Sequence, residues 1–234
     1  MLGIPYASEE ARNLAQDVVA FINYQSKLVS HELAKERGSF DAMRLAFGCR
    51  YKEKPGYLEQ KYGYRDTRWV SGDDWQRLGE RIRSTELLRN SSTIALPPTG
   101  RSALVINAST GVEPIFSIVG LDEKVLPVVA TTLGDALTQE TEATLLAIKQ
   151  LGDIGGEQVA KLLATSTNIA PTDHIAMVAA LQPVVDESIS KTINLPEHAS
   201  LKEVEDIYLS AHSLGLKGMT MCRDGSSRFQ PRRL

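Results

Sequence analysis

Leu96-Pro97-Pro98-Thr99-Gly100-Arg101-Ser102-Ala103-Leu104 decides how this chain is read. It follows Thr93-Ile94-Ala95, with which Leu96 predicts a short buried strand, and it sets a glycine and two hydroxyl residues directly after that strand. Pro97 and Pro98 fix φ and donate nothing to a sheet, and Gly100 tolerates φ > 0, so Thr99, Ser102 and free backbone N–H groups are able to converge on an anion. The same composition also writes an ordinary turn. A second turn close by strengthens the case for a site. Residues 103–107 are expected to continue as apolar strand, and Ala108-Ser109-Thr110-Gly111-Val112-Glu113-Pro114-Ile115-Phe116 follows. Together the two turns offer the hydroxyls of Thr99, Ser102, Ser109 and Thr110 and the backbone of Gly100 and Gly111.

Towards the carboxy terminus, residues 138–163 predict an amphipathic helical region broken at Gly152 and at Gly155-Gly156. Asp173-His174 opens another helix, with Ile175, Val178, Ala179 and Leu181 facing inward and Pro183 perturbing its middle. Asp173 reads as a cap or helix-dipole partner and His174 as a structural histidine beside it. Ser188-Ile189-Ser190-Lys191-Thr192-Ile193-Asn194-Leu195-Pro196 is a strand or loop dense in hydroxyl, amine and amide groups. A helix over 200–214 follows, with Ser200 and Glu203 in a capping box and Gly215 as its stop. Lys217-Gly218-Met219-Thr220-Met221-Cys222 predicts a last short strand and Arg223-Asp224-Gly225-Ser226 a turn. Strand, helix, strand with glycine at the junctions argues for an α/β class with parallel neighbours.

Towards the amino terminus, Ser8-Glu9-Glu10 supplies a cap and early acids. Ala11, Leu14, Ala15, Val18, Val19 and Ile22 recur at helical spacing and Leu28, Leu33 and Ala34 extend the stripe, predicting a long helix or helical pair over 8–37 that stops at Gly38. His31 reads as a surface helical histidine, since no second ligand sits one turn away. Residues 47–69, with Tyr51, Tyr57, Tyr62 and Tyr64, form an irregular loop whose aromatics either stack on a base or fasten the loop to its own domain. Ser71-Gly72-Asp73-Asp74 caps a helix through Trp75, Leu78 and Ile82 to Leu88, and Arg89-Asn90-Ser91-Ser92 breaks it.

Composition narrows the function classes. The 234 residues can bury a substantial core and lie at the upper edge of one domain or the lower edge of two, with 42% apolar and 24% charged residues. A net charge of −3, with basic residues crowding only at Arg223, Arg228, Arg232 and Arg233, argues against a nucleic-acid surface. Cys49 and Cys222 make neither a disulfide framework nor a four-thiolate zinc site, and the four histidines offer no metal-binding helix face, so a reducing, cytoplasmic setting without a bound metal is expected. No apolar run reaches the roughly 20 residues that span a bilayer, so no membrane partner is expected. A hydrolase built on Cys49 or His174 lacks a nucleophile, base and orienting acid together.

Five segments in order resemble the carboxy-terminal part of the large subunit of ribonucleotide reductases. They are Ser30-His31-Glu32-Leu33-Ala34-Lys35-Glu36-Arg37-Gly38-Ser39-Phe40; Leu88-Arg89-Asn90-Ser91 leading into Pro98-Thr99-Gly100-Arg101-Ser102-Ala103; and Ser109-Thr110-Gly111-Val112-Glu113-Pro114-Ile115-Phe116. The fourth runs from Asp173-His174-Ile175 through Ile189-Ser190-Lys191-Thr192-Ile193-Asn194-Leu195-Pro196, and the fifth is Gly215-Leu216-Lys217-Gly218-Met219-Thr220 with Arg223-Asp224-Gly225-Ser226. The Ser-Lys-Thr-x-Asn-Leu-Pro run and the Lys-Gly-x-Thr strand look most like the adenosylcobalamin-dependent, class II enzymes. Thr220-Met221-Cys222 stands where iron-dependent subunits carry a radical-passing tyrosine pair.

The resemblance implies a helix-rich α/β fold, the carboxy-terminal portion of a ten-stranded α/β barrel, with residues 1–234 forming a single domain that is an incomplete barrel by itself. It implies that Pro98, Thr99, Gly100, Arg101, Ser102 and Ala103 cradle the phosphates of a ribonucleotide di- or triphosphate, and that Ser109, Thr110, Gly111, Ser190, Lys191 and Asn194 lie near the same pocket. Arg101 departs from the family's small residue at its position, and Cys222 from a tyrosine. No catalytic residue of the family falls on this chain: neither Cys49 nor Cys222 has the Asn-x-Cys-x-Glu setting of the radical cysteine. The expectation is the small fragment of a split reductase, inactive without a larger fragment that carries the radical cysteine and holds most of the adenosylcobalamin, and serving deoxyribonucleotide synthesis for DNA replication. The alternative is a non-catalytic regulatory subunit that binds nucleotide or a reductase partner.

Overall fold

The computed structural model describes residues 4–41, 43, 66–106, 109–114, 161, 164–166 and 168–226. The elements are α1 (Glu9–Arg37), α2 (Gly72–Thr85), α3 (Gly100–Val105), α4 (Pro171–Leu181) with a 3-10 turn (Gln182–Val184), β1 (Thr192–Leu195), α5 (Leu201–Ser213) and β2 (Thr220–Arg223). The chain divides into two compact units. One comprises Asn13–Leu96 and Ala180–Ile189, the other Met1–Arg12, Pro97–Ala179 and Ser190–Leu234.

In the first unit α1 dominates. Glu9 and Glu10 in its first turn and Lys35 and Arg37 in its last complement the helix dipole. Gly38, at φ 75°, takes the left-handed conformation that stops it. The buried face of α1 follows its expected apolar stripe only in part: Ala34 is buried and Leu28 packs on the core, but Val18 and Ile22 are exposed, and Gln16, Ala20, Asn23, Lys27, Ser30 and His31 are buried. Each buried polar side chain meets a partner on another segment. Gln16 Nε2 donates to the Ala180 carbonyl at 2.7 Å, Asn23 Nδ2 to the Val184 carbonyl at 2.9 Å, and Ser30 Oγ to Asn90 at 3.1 Å. His31 is therefore a buried residue and not a surface one, its Nδ1 lying 2.9 Å from the Leu87 carbonyl.

The apolar core of this unit is Met43, Val70, Trp75, Leu78, Ile82 and Leu88, with Tyr24, Leu28 and Phe40 packed against it. Tyr24 meets Trp75 edge-on at 5.2 Å, the favoured aromatic geometry. α2 starts in the expected capping box, Ser71 with Asp74, and ends at Glu86, whose φ of 54° breaks the helix before Leu88. The strand expected over 93–96 reduces to one parallel bridge, Leu96 to Ile189.

In the second unit β1 and β2 pair in parallel, with Asn194 opposite Cys222 and Ile193 opposite Met221. Ile193, Leu195, Ala199, Ile207 and Ile175 form its core, lined by Val204, Leu216, Met219 and Met221. α5 carries the expected capping box, Ser200 with Glu203. Four expectations are corrected. Residues 103–105, expected as the start of a strand over 103–107, belong to the helix Gly100–Val105: Ala103 N donates to the Thr99 carbonyl, and the 86% and 72% exposure of Val105 and Ile106 leaves them no sheet to pack on. α4 begins at Pro171, two residues earlier than expected, with proline where its missing N–H costs nothing. Pro183 lies beyond α4, in the 3-10 turn, because a proline there removes the N–H that the next helical bond requires. The last strand is Thr220–Arg223, shifted three residues along from the expected start. The helical region expected over 138–163, apart from Lys161, and most of the loop expected over 47–69 lie outside the described residues.

Candidate functional site

The two turns singled out in the sequence meet. Gly111 N donates to Thr99 Oγ1 at 2.8 Å, so Thr99 does not cap α3 with its side chain. Gly111 is needed here twice over. Its φ is 49°, and a Cβ would stand 3.2 Å from the Pro97 carbonyl oxygen. Glu113 N closes the turn on the Thr110 carbonyl at 2.9 Å, and the Tyr6 hydroxyl donates to the Val112 carbonyl at 2.7 Å.

Glu113 links that turn to β1. One carboxylate oxygen accepts from Thr192 N at 2.7 Å and the other from the Lys191 ammonium, which also donates to the Thr192 carbonyl. Lys191 is 2% exposed and Glu113 25%. Burial pulls the Lys191 ammonium below the usual lysine range, and Glu113 works against that pull. His174, fully buried on α4, is driven down to about 4 by burial, with the Lys191 charge adding to the effect. It is thus neutral at pH 7. With Nε2 3.0 Å from the Ser166 carbonyl, that nitrogen carries the proton, and Nδ1 is a buried acceptor with no hydrogen-bond partner among the described residues. Tyr6 lies 6.1 Å from the His174 ring, and burial, then Glu113, raise its phenol. Asp173 pairs with Arg12 at 3.6 Å across a half-exposed gap.

The structure therefore brings Thr99, Thr110, Gly111, Lys191 and Thr192 into one hydrogen-bonded set. Gly100, Arg101 and Ser102 stand exposed on α3, and among the described residues the side chains of Arg101 and Ser102 make no hydrogen bond or ion pair. Pro98 is exposed and Ala103 buried; Ser109 is exposed, Ser190 half-buried and Asn194 buried within β1. Cys222 is half-buried in β2, and Cys49 lies outside the described residues. Tyr6 and Glu113 were not candidates from the sequence, and His174 was read there as a structural histidine. Glu113 sat inside a quoted turn, but nothing local tells that its carboxylate reaches a lysine 78 positions further on.

Among the described residues no group of three or more histidine, cysteine, aspartate or glutamate side chains is placed to hold a metal, and no helix is long and apolar enough to cross a membrane.

The family model for the ribonucleotide reductase barrel domain matches residues 1–222. The chain belongs to that family. A vitamin B12-dependent ribonucleoside-diphosphate reductase of Thermoplasma acidophilum is 29% identical over 98% of this chain and 27% of its own length. One from Mycobacterium tuberculosis strain H37Rv is 30% identical over 98% of the chain and 29% of its length, and a vitamin B12-dependent ribonucleotide reductase of Streptantibioticus cattleyicolor is 29% identical over 42% of its length. The chain thus spans between about a quarter and two fifths of these relatives. The class Id ribonucleotide reductase alpha subunit of Actinobacillus ureae superposes with a TM-score of 0.67 at 18% identity, covering 95% of this chain and 36% of that one. The fold is accordingly a portion of the reductase barrel.

Proposed function

We propose that this chain is the smaller piece of a split, adenosylcobalamin-dependent ribonucleotide reductase, that residues 1–234 act as one domain completing the barrel of a larger fragment, and that residues 98–103 bind the substrate's phosphates. The observation that carries the reading is the pairing of near-complete family coverage, residues 1–222, with coverage of only 27–42% of B12-dependent relatives. The radical cysteine, with its Asn-x-Cys-x-Glu surroundings, is then supplied by the other fragment.

Support for the phosphate role comes from the exposed Gly100, Arg101 and Ser102 at the start of α3 and from Thr99, held by Gly111 beside them. The Arg101 guanidinium, free of any ion pair among the described residues, is a planar fork suited to phosphate oxygens. Ser109, Thr110, Ser190, Lys191 and Asn194 complete the polar side of this region in the reading. Adenosylcobalamin supplies a radical when bound. His31 and His174 are buried and each lies against a backbone carbonyl, and in this proposal the cofactor is held mainly by the larger fragment.

Mixing the purified chain with the larger fragment, adenosylcobalamin, a dithiol reductant and ribonucleoside di- or triphosphates tests this. The expected result is deoxynucleotide formation that neither piece supports alone. Equal turnover by the larger fragment without this chain rejects the proposal.

A further inference from the structure

We propose that Glu113 is a positioning residue for phosphate binding: it locks the 109–114 turn, and through Gly111 the Thr99 side chain, onto β1 while holding the Lys191 ammonium in a fixed place. The inference rests on the phosphate-cradle reading of residues 98–103 and extends it to a residue outside that loop.

The geometry is a relay of short bonds within one compact unit. Thr99 Oγ1 accepts from Gly111 N at 2.8 Å, Gly111 and Glu113 belong to one turn closed at 2.9 Å, and the Glu113 carboxylate spans Thr192 N and the Lys191 ammonium. A carboxylate that accepts from a backbone N–H and an ammonium at once has little rotational freedom left, so it fixes both donors. Tyr6 holds the same turn from its other side through the Val112 carbonyl. The Lys191 ammonium has three N–H donors. Glu113 and the Thr192 carbonyl take two, and among the described residues nothing takes the third.

The pair is also asymmetric. Lys191 is 2% exposed and Glu113 25%, so the cation is enclosed and its counter-ion opens to solvent. Among the described residues, the charged and titratable groups acting with Lys191 are Glu113 on the turn and His174 on α4, with Tyr6 beside them, its phenol raised by burial and by Glu113. Of these only Glu113 favours the charged ammonium; burial and the adjacent His174 do not. Removing the Glu113 charge therefore loosens the turn and moves the loss of the Lys191 proton to lower pH, a combination that a packing defect alone does not produce.

The test uses the full chain and inorganic pyrophosphate as probe, with affinity measured by calorimetry from pH 6 to pH 10 and folding checked by circular dichroism. Glu113→Gln should weaken binding about tenfold at pH 7, the scale of one lost charge-assisted hydrogen bond. It should also bring the alkaline fall in affinity down by about one pH unit or more. Glu113→Asp, which keeps the charge but is one methylene too short to bridge both donors, should weaken binding at pH 7 and leave the alkaline fall where it is. Wild-type affinity and an unmoved alkaline fall in Glu113→Gln overturn the inference. If Glu113→Gln fails to fold, wild-type affinity in Glu113→Asp overturns it equally. Absence of pyrophosphate binding by the wild-type chain removes the phosphate cradle itself, and this inference with it; binding by wild type and both variants alike leaves the cradle standing and rejects only the role of Glu113.

Discussion

Two buried lysines, one in each unit, show how differently one pairing is used. Lys27 meets Asp186 at 2.7 Å with both side chains enclosed, 5% and 3% exposed, whereas Lys191 meets a Glu113 that is 25% exposed. Asp186 is saturated: besides Lys27 it accepts from Thr93 N at 2.7 Å, Thr93 Oγ1 at 3.1 Å and Ile94 N at 3.2 Å. That is the form of a fastening, in which every lone pair is spoken for and α1 is tied to the segment entering residue 96. The Glu113 pair ties two chemistry-bearing loops together and keeps one side open. Both partners of the first pair are enclosed; in the second only the lysine is, and its carboxylate partner reaches solvent.

Lys27→Met separates the two uses most sharply. It leaves the Asp186 carboxylate buried without its cation, and removing one partner of an enclosed pair costs about 3–5 kcal/mol. Urea unfolding should show that loss, against roughly 1–3 kcal/mol for Glu113→Gln, whose partner keeps the Thr192 carbonyl. Equal losses would erase the distinction.

The next effect is on pH. His174 titrates at about 4 in the folded chain and near 6.5 when unfolded. Between these values the unfolded state binds the extra proton, so stability is intact above pH 6.5 and falls as the pH drops towards 4. The loss over that window is about 3 kcal/mol at most, from the spacing of the two values. Unfolding midpoints at pH 7, 5.5 and 4.5 should show the decline in the wild-type chain and a shallower one in His174→Gln. Identical slopes would mean that other groups govern the acid limb.

The contrast between the units also explains what the sequence could carry. Where local chemistry decides, the reading was close: the capping boxes at Ser71 and Ser200 and the stop at Gly38 depend on neighbours a few residues apart. Where distant partners decide, it failed. The Val18 and Ile22 stripe looked like the inner face of α1, but the inner face is Gln16, Asn23, Lys27 and His31, because segments more than fifty residues away supply their partners. Residues 103–105 were apolar enough for a strand, yet without a neighbouring strand they continue the turn as helix. The loops of the candidate site were legible as turns with hydroxyls; the carboxylate joining them was not, since its meaning lies in a bond to Lys191.

The claim that this chain completes a barrel is tested most directly by hydrogen exchange of the full chain with and without the larger fragment, followed at the amides of β1 and β2 and at residues 100–103. The account predicts that adding the fragment slows exchange at Thr220–Arg223 and Thr192–Leu195, and that adding ribonucleotide then slows it at 100–103. Unchanged exchange at both strands in a mixture that forms no complex would contradict it.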